Sequence, residues 1–163
     1  MYPVTIDPTK SYAELIVAGK YNYADRWVSE KNFPEANENP TYSVLTEIQV
    51  EVICLNLDKT LTLRKVERYL NRRKLRPATV RELLAFGAQF PDAQWDGQML
   101  VALGSFCAFL NGSDLIRIPA IGFDGLGIRA RGSRYRTLGL QAAHDYYSSG
   151  WDGKKCQFLA VHM

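Results

Sequence analysis

The stretch TEIQVEVICLNLD (residues 46–58) decides how the rest of the chain is read. On an extended backbone Ile48, Val50, Val52 and Cys54 fall on one side, and the start of the other side is polar or charged. From Ile53 onward the pattern changes, because Ile53, Leu55 and Leu57 make the second side apolar as well. A strand that begins one-faced and ends two-faced predicts a sheet whose far end is covered on both sides.

Working outward, YPVTID (2–7) alternates as a short strand. DPTKSYAELIVAGKY offers Asp7 or Thr9 as a helix cap, sets Tyr12, Leu15 and Ile16 on one helical face, and stops at Gly19. Residues 21–45 hold no period and read as a long loop. TLTLRKVERYLNRRK (60–74) places Leu63, Val66, Tyr69 and Leu70 on one stripe, which predicts an amphipathic helix with a basic outer face. Arg76 precedes Pro77 and is pushed out of helical dihedrals. Thr79 and Glu82 then form a capping box for a helix over VRELLAFGAQF, which must stop by Phe90 ahead of Pro91. The remaining text is strand-like and glycine-rich, with Asn-Gly at 111–112 as a hairpin signal. Strands and helices in this order predict an α+β fold, as a single domain over residues 1–163.

Composition bounds the class. A chain of 163 residues, 47% hydrophobic and 23% charged, is ordinarily globular, which excludes disordered and collagen-like classes. No apolar run approaches the roughly 20 residues that span a bilayer. The opening residues lack a signal-peptide pattern, so a cytoplasmic protein without a membrane partner is expected. Cys54, Cys107 and Cys156 lie in apolar runs and are expected buried and reduced. No ligand spacing for zinc or calcium occurs, so no metal and no cofactor are expected.

Charge is unevenly placed: residues 1–60 carry 5 basic and 9 acidic side chains, and residues 61–163 carry 15 and 8. Seven cations (Arg64, Lys65, Arg68, Arg72, Arg73, Lys74 and Arg76) face only Glu67 within residues 64–76. Such a face suits phosphates, and it also suits a solvated helix whose long stems cover apolar surface. Arg129, Arg131, Arg134 and Arg136 alternate as strand side chains do. They read either as the exposed face of a hairpin or as a cluster for carboxylate or phosphate. Tyr146, Tyr147 and Trp151 stand among Ser, Gly and Asp, a composition like that of antibody paratopes. The competing reading is aromatic cover for the core under the last strand. Trp151 is expected buried, with its ring anchored on that strand's sheet, and Tyr146 and Tyr147 point to opposite sides. On that reading Trp151→Ala costs about 3–5 kcal/mol.

The basic helix, LRPATVRELLAFGAQF, the glycine-rich strands and the aromatic loop leading into CQFLAVH together resemble the C-type-lectin-like fold over roughly residues 60–163. The branch is the bacterial and phage type, which includes formylglycine-generating-enzyme-like domains and the variable proteins of diversity-generating retroelements. His162 stands where that branch usually ends on Arg. The resemblance implies two or three helices packed on a twisted antiparallel sheet with long glycine-rich loops. It also implies termini that meet on one sheet and loops of 123–153 clustered on one surface. The calcium signatures of sugar-binding lectins and the paired catalytic cysteines of the oxidases are absent, so neither activity is implied. The whole chain is also similar to short proteins of uncultured bacteria that share an LRPAT…ELLA segment and a FLAV ending. That similarity implies no activity.

Three functional expectations follow. One is a non-enzymatic module binding a protein or another macromolecule through Arg129, Arg131, Arg134, Arg136, Tyr146, Tyr147 and Trp151. The second is a nucleic-acid-binding protein using the 64–76 helix and the arginines of 129–136. The third is an enzyme centred on His144 and Asp145, where a carboxylate beside a histidine tunes a base. No recognisable catalytic motif supports the third.

Overall fold

The structure, a computed structural model, describes residues 1–34, 37, 40–55, 60–93, 99–108, 115–123, 136–144, 151–152 and 156–163. Of these, residues 60–61, 108, 115, 123, 141–144 and 151–152 are described by backbone alone. In chain order the elements are β1 (Tyr2–Ile6), α1 (Tyr12–Ala18), β2 (Tyr23–Ala24), β3 (Thr46–Cys54) and β4 (Thr60–Leu61). Then come α2 (Leu63–Arg72), β5 (Leu75–Pro77), α3 (Val80–Gln89), β6 (Met99–Val101) and β7 (Cys107–Ala108). The last are β8 (Leu115–Phe123), β9 (Arg136–His144), β10 (Trp151–Asp152) and β11 (Cys156–His162). The architecture is α+β, as expected.

A mixed sheet runs in the order β1-β3-β11-β6-β8-β9-β2, with β5 also on β11 and β7 also on β8. β11 is its centre. One edge of β11 pairs with β3, and the other pairs with β6 at the start and β5 at the end. Most pairing is antiparallel, but β11 runs parallel to β6 and β2 parallel to β9. This corrects the expected all-antiparallel sheet, and the cause is α3. The helix separates β5 from β6, so both lie on one edge of β11 in opposite senses, an arrangement no tight turn could give. β1 and β11 share the sheet with only β3 between them.

Both faces of the sheet are covered, as the change of pattern within β3 predicts. On one face Val50, Leu100, Ile121, Leu138, Leu159 and Val161 pack with Tyr12 and Leu15 of α1 and with Leu83, Leu84 and Phe86 of α3. On the other face Ile53, Leu55, Val101, Ile118, Phe158 and Ala160 pack with Leu63, Val66 and Leu70 of α2. Cys156 through Val161 are all buried, because β11 has a helical layer on each side. Cys54 departs from expectation: it is exposed, with the Gln157 side chain donating to its sulfur. The α1/α3 cluster reaches as far as Val52 on that face and does not include Cys54. Cys107 is half-buried and Cys156 buried.

Two helices start on complete capping boxes. Thr79 and Glu82 form the one expected for α3, which ends at Phe90. α1 is capped by Ser11 with Glu14, not by Asp7 or Thr9. Asp7 instead accepts from the amide and hydroxyl of Thr9, a local turn that leaves Ser11 as the first residue free to cap. Gly19 does end α1, but in right-handed geometry, and Lys20 takes the left-handed conformation (φ 51°). Glycine is required at 19 for space, since a Cβ there would lie 2.3 Å from the Tyr21 ring.

β1 is an edge strand, and its edge is closed. The Gln89 carboxamide accepts from the Thr5 amide at 2.9 Å and donates to the Thr5 carbonyl at 2.7 Å, as a neighbouring strand would. Pro3, two residues earlier on the same edge, has no N–H to offer. Gln89→Ala is expected to cost about 0.5–1.5 kcal/mol and to open this edge to pairing between molecules. Denaturant melts would give the first effect. Light scattering against concentration would give the second.

Candidate functional site

The structure takes Arg136 out of the exposed arginine group in which the sequence sets it. Arg136 lies in the interior, 4% exposed, at the start of β9. Its guanidinium donates to the carbonyls of Gly19 (2.5 Å) and Gly87 (3.0 Å) and lies 3.5 Å from that of Phe90. Its charged carbon stands 4.7 Å from the centre of the Tyr21 ring. Burial pushes the Arg136 pKa below its usual range, and it pushes the Tyr21 hydroxyl well above its own. Arg136 therefore binds two helix ends of its own fold and does not stand on an exposed basic face. Arg129, Arg131, Arg134, Tyr146 and Tyr147 lie outside the described residues. His144 is the last residue of β9, paired through its backbone with Leu115, and Asp145 lies outside the described residues.

Arg76 also leaves the exposed set. It makes two hydrogen bonds to Glu82, at 2.9 and 2.6 Å, and a third, at 3.1 Å, to the Tyr42 hydroxyl. Tyr42 donates to the same carboxylate, and so does the Thr79 amide at 2.7 Å. Those four donors use the acceptor sites of a carboxylate, which leaves Glu82 no lone pair for a substrate. Burial opposes the charge on Arg76, yet the hydrogen bonds and charge of Glu82 outweigh it and raise its pKa. Burial, then the bond to Glu82, raises the Tyr42 hydroxyl well above its usual value. This cluster caps α3 and binds the 40–45 segment to it.

Among the described cations, those on the outer face of α2 remain free. Leu63, Val66 and Leu70 turn inward, so the geometry of the helix turns Arg64, Lys65, Arg68 and Arg72 outward, all exposed. Arg64, Glu67, Arg68, Asn71 and Arg72 line a shallow open groove. Among the described residues these four cations have no ion pair or hydrogen-bonding partner. Their neighbours do. Arg73 lies 5.6 Å from the centre of the Tyr69 ring, donates to the Tyr69 hydroxyl at 2.9 Å, and sits 3.8 Å from Glu51. His162 approaches the same Glu51 at 3.4 Å. Lys74 closes the helix in left-handed backbone (φ 57°) and accepts from the Met163 amide.

α2 also lacks the supports that the other two helices have. Thr62 caps it without a side-chain hydrogen bond, and no acidic residue stands in its first turn. Lys65 occupies the third helical position, where α1 has Glu14 and α3 has Glu82. Cations in a first turn oppose the helix dipole. Arg64–Arg68 and Arg68–Arg72 are like-charged pairs at i,i+4, each destabilising by about 0.2–0.5 kcal/mol.

β10 joins the aromatic stretch to this helix. Trp151 pairs antiparallel with Leu61 and Asp152 with Thr60, in a two-stranded piece separate from the main sheet. The backbone of Trp151 is thus held one residue from the cap of α2. This pairing sets the Trp151 backbone on β4, apart from the sheet of β11 on which its ring was expected to be anchored.

No protein-family model, curated protein or solved structure matches this chain. Among the described residues no group of three His, Cys, Asp or Glu side chains is placed to hold a metal ion. No helix among them is long and apolar enough to cross a membrane.

Replacing Arg136 separates interior from surface. Arg136→Met leaves buried carbonyls without a donor and is expected to cost about 3–5 kcal/mol. A surface arginine would cost under about 0.5 kcal/mol. Denaturant melts distinguish the two.

Proposed function

We propose that this chain is a binding module for a phosphate-bearing polymer, a nucleic acid, and that the outer face of α2 is its contact surface. One observation carries the reading: Arg64, Lys65, Arg68 and Arg72 form an exposed ridge on the helix that has no capping box and no acid in its first turn. α1 and α3 have both. Local rules broken on a single exposed face mark a site kept for something other than stability. A polyanion on that face would neutralise the like charges and supply the negative charge missing at the helix start. The ridge offers no apolar side chain to insert into a lipid surface, which disfavours a membrane as the partner.

The C-type-lectin-like resemblance is part of this proposal as a scaffold. What supports it is the placement of β1 and β11 on one sheet and the strand-rich second half. The loop-borne binding surface enters the same proposal through Trp151, whose strand adjoins α2.

Each neutralised phosphate contributes about 0.7–0.9 to the salt slope. Four contacts therefore lower affinity roughly 50- to 150-fold over a fourfold rise in salt. Binding of mixed DNA and RNA oligonucleotides at two salt concentrations checks this, and no binding at low salt refutes the proposal. A second test turns on Lys65. Lys65→Glu completes a capping box with Thr62 and is expected to stabilise the protein by about 1 kcal/mol. It also removes a phosphate contact and adds repulsion, so binding weakens while the melting temperature rises. A merely solvated face would show the stabilisation and no change in polyanion binding.

A further inference from the structure

Cys54 ends β3 as an accessible thiol, and the strand register explains why. β1 pairs with β3 only as far as Val50, so the last residues of β3 run past their neighbour on that edge. On the other edge Cys54 stands directly opposite Gln157 of β11. Directly opposed residues project to the same face, but here the two differ in cover. Gln157 is 8% exposed, because β11 is the central strand and has β6 on its far side. Cys54 is open to solvent. The Gln157 Nε2 donates to the Cys54 sulfur at 2.7 Å. Its Oε1, buried with it, has no hydrogen-bond partner among the described residues.

A thiol is one weak donor and one weak acceptor. Cys54 uses its acceptor on Nε2, and its S–H does not reach Oε1. A buried acceptor without a donor is costly, and an oxygen placed on the sulfur would change the match. A sulfenic acid, S–O–H, carries its proton one bond further out and keeps lone pairs for Nε2. The carboxamide can then serve it with both ends, Nε2 donating and Oε1 accepting. We infer that Cys54 is a site of reversible oxidation by hydroperoxides, with Gln157 as the positioning residue that holds the sulfenic acid once formed. The sulfur attacks the outer oxygen of the peroxide. The S–O bond forms as the O–O bond breaks, and two electrons pass from sulfur to the peroxide. The thiol proton leaves on the departing oxygen, as water or an alcohol. A small thiol reverses the change: it displaces the sulfenic oxygen as water and forms a mixed disulfide, which a second thiol reduces. Neither other cysteine shares this setting. Cys156 is buried. Cys107 is half-buried, and burial raises its thiol above the ordinary range, which withholds the reactive thiolate. This inference is independent of the α2 reading.

The test exposes the full chain to hydrogen peroxide, traps sulfenic acid with dimedone and locates the label by mass spectrometry of peptides. The label is expected on Cys54 and nearly absent from Cys107 and Cys156. Gln157→Met keeps the side-chain length and removes both hydrogen-bonding atoms. Its sulfenic acid is expected to form as before and to pass on to sulfinic acid roughly two- to tenfold faster, the worth of one hydrogen bond. A second measurement uses the parent protein. The side-chain amide resonances of Gln157 are expected to shift on oxidation, to return on addition of a small thiol, and to stay in place in Cys54→Ala treated with peroxide.

No label at Cys54, or label spread evenly over the three cysteines, overturns the site. Label at Cys54 with unmoved Gln157 resonances overturns the role of the carboxamide, and so does an unchanged rate of sulfinic acid formation in a folded Gln157→Met protein. If Gln157→Met does not fold, the resonances of the parent protein decide alone.

Discussion

Arg136 sets a buried cation where two helices end. The carbonyls it reaches are Gly19 at the end of α1, Gly87 in the last turns of α3, and Phe90 at the end of α3. Helix C-termini carry roughly half a negative charge each, so two of them together offset about one guanidinium. That balance lets an arginine sit in the interior without a carboxylate hydrogen-bonded to it, where a lone charge would otherwise cost several kcal/mol. Tyr21 completes the arrangement from the side. Its ring lies against Gly19 and under Arg136, and its hydroxyl occupies the space where a Cβ at 87 would stand. Gly87, unfavourable within a helix by about 1 kcal/mol, is the residue that lets α3 come this close. Through this node β9, α1 and α3 hold one geometry.

The same side of the molecule commits several of its polar groups to internal bonds. Glu82 is saturated by Arg76, Tyr42 and the Thr79 amide. Arg81 donates to the carbonyls of Asp7 and Lys10 and stands over Tyr12. Gln89 closes the β1 edge. Buried polar networks of this kind rigidify a fold, although the Tyr21 hydroxyl and the Arg136 Nε, both buried, have no hydrogen-bond partner among the described residues. The α2 side is the reverse. Its core is apolar, and its charges project to solvent along a helix whose start has neither a side-chain cap nor an acidic residue. The contrast between the two layers is the physical basis for proposing α2 as a contact surface.

The sequence alone determined the features that rest on local period and local hydrogen bonding. The change from one apolar face to two within 46–58, the amphipathy of α2 and the Thr79–Glu82 capping box depend on residues a few positions apart. Their physics is complete before the chain folds. The long-range arrangement was decided only by the tertiary structure. In sequence Arg136 is one of four alternating arginines, and nothing local distinguishes it. It becomes interior because β9 meets helix ends that lie 117 and 49 residues away along the chain. Cys54 looks as apolar as Val52, yet the helical cover on its face extends to Val52 and does not take it in. Gly19 looks like a left-handed stop, while the space it leaves is filled by the ring of Tyr21. Trp151 and the basic helix stand about 90 residues apart, and only the pairing of β10 with β4 makes them neighbours. Side-chain periodicity reports which face a residue is on, whereas strand pairing decides what that face meets, and pairing is set by contacts that no short window of sequence contains.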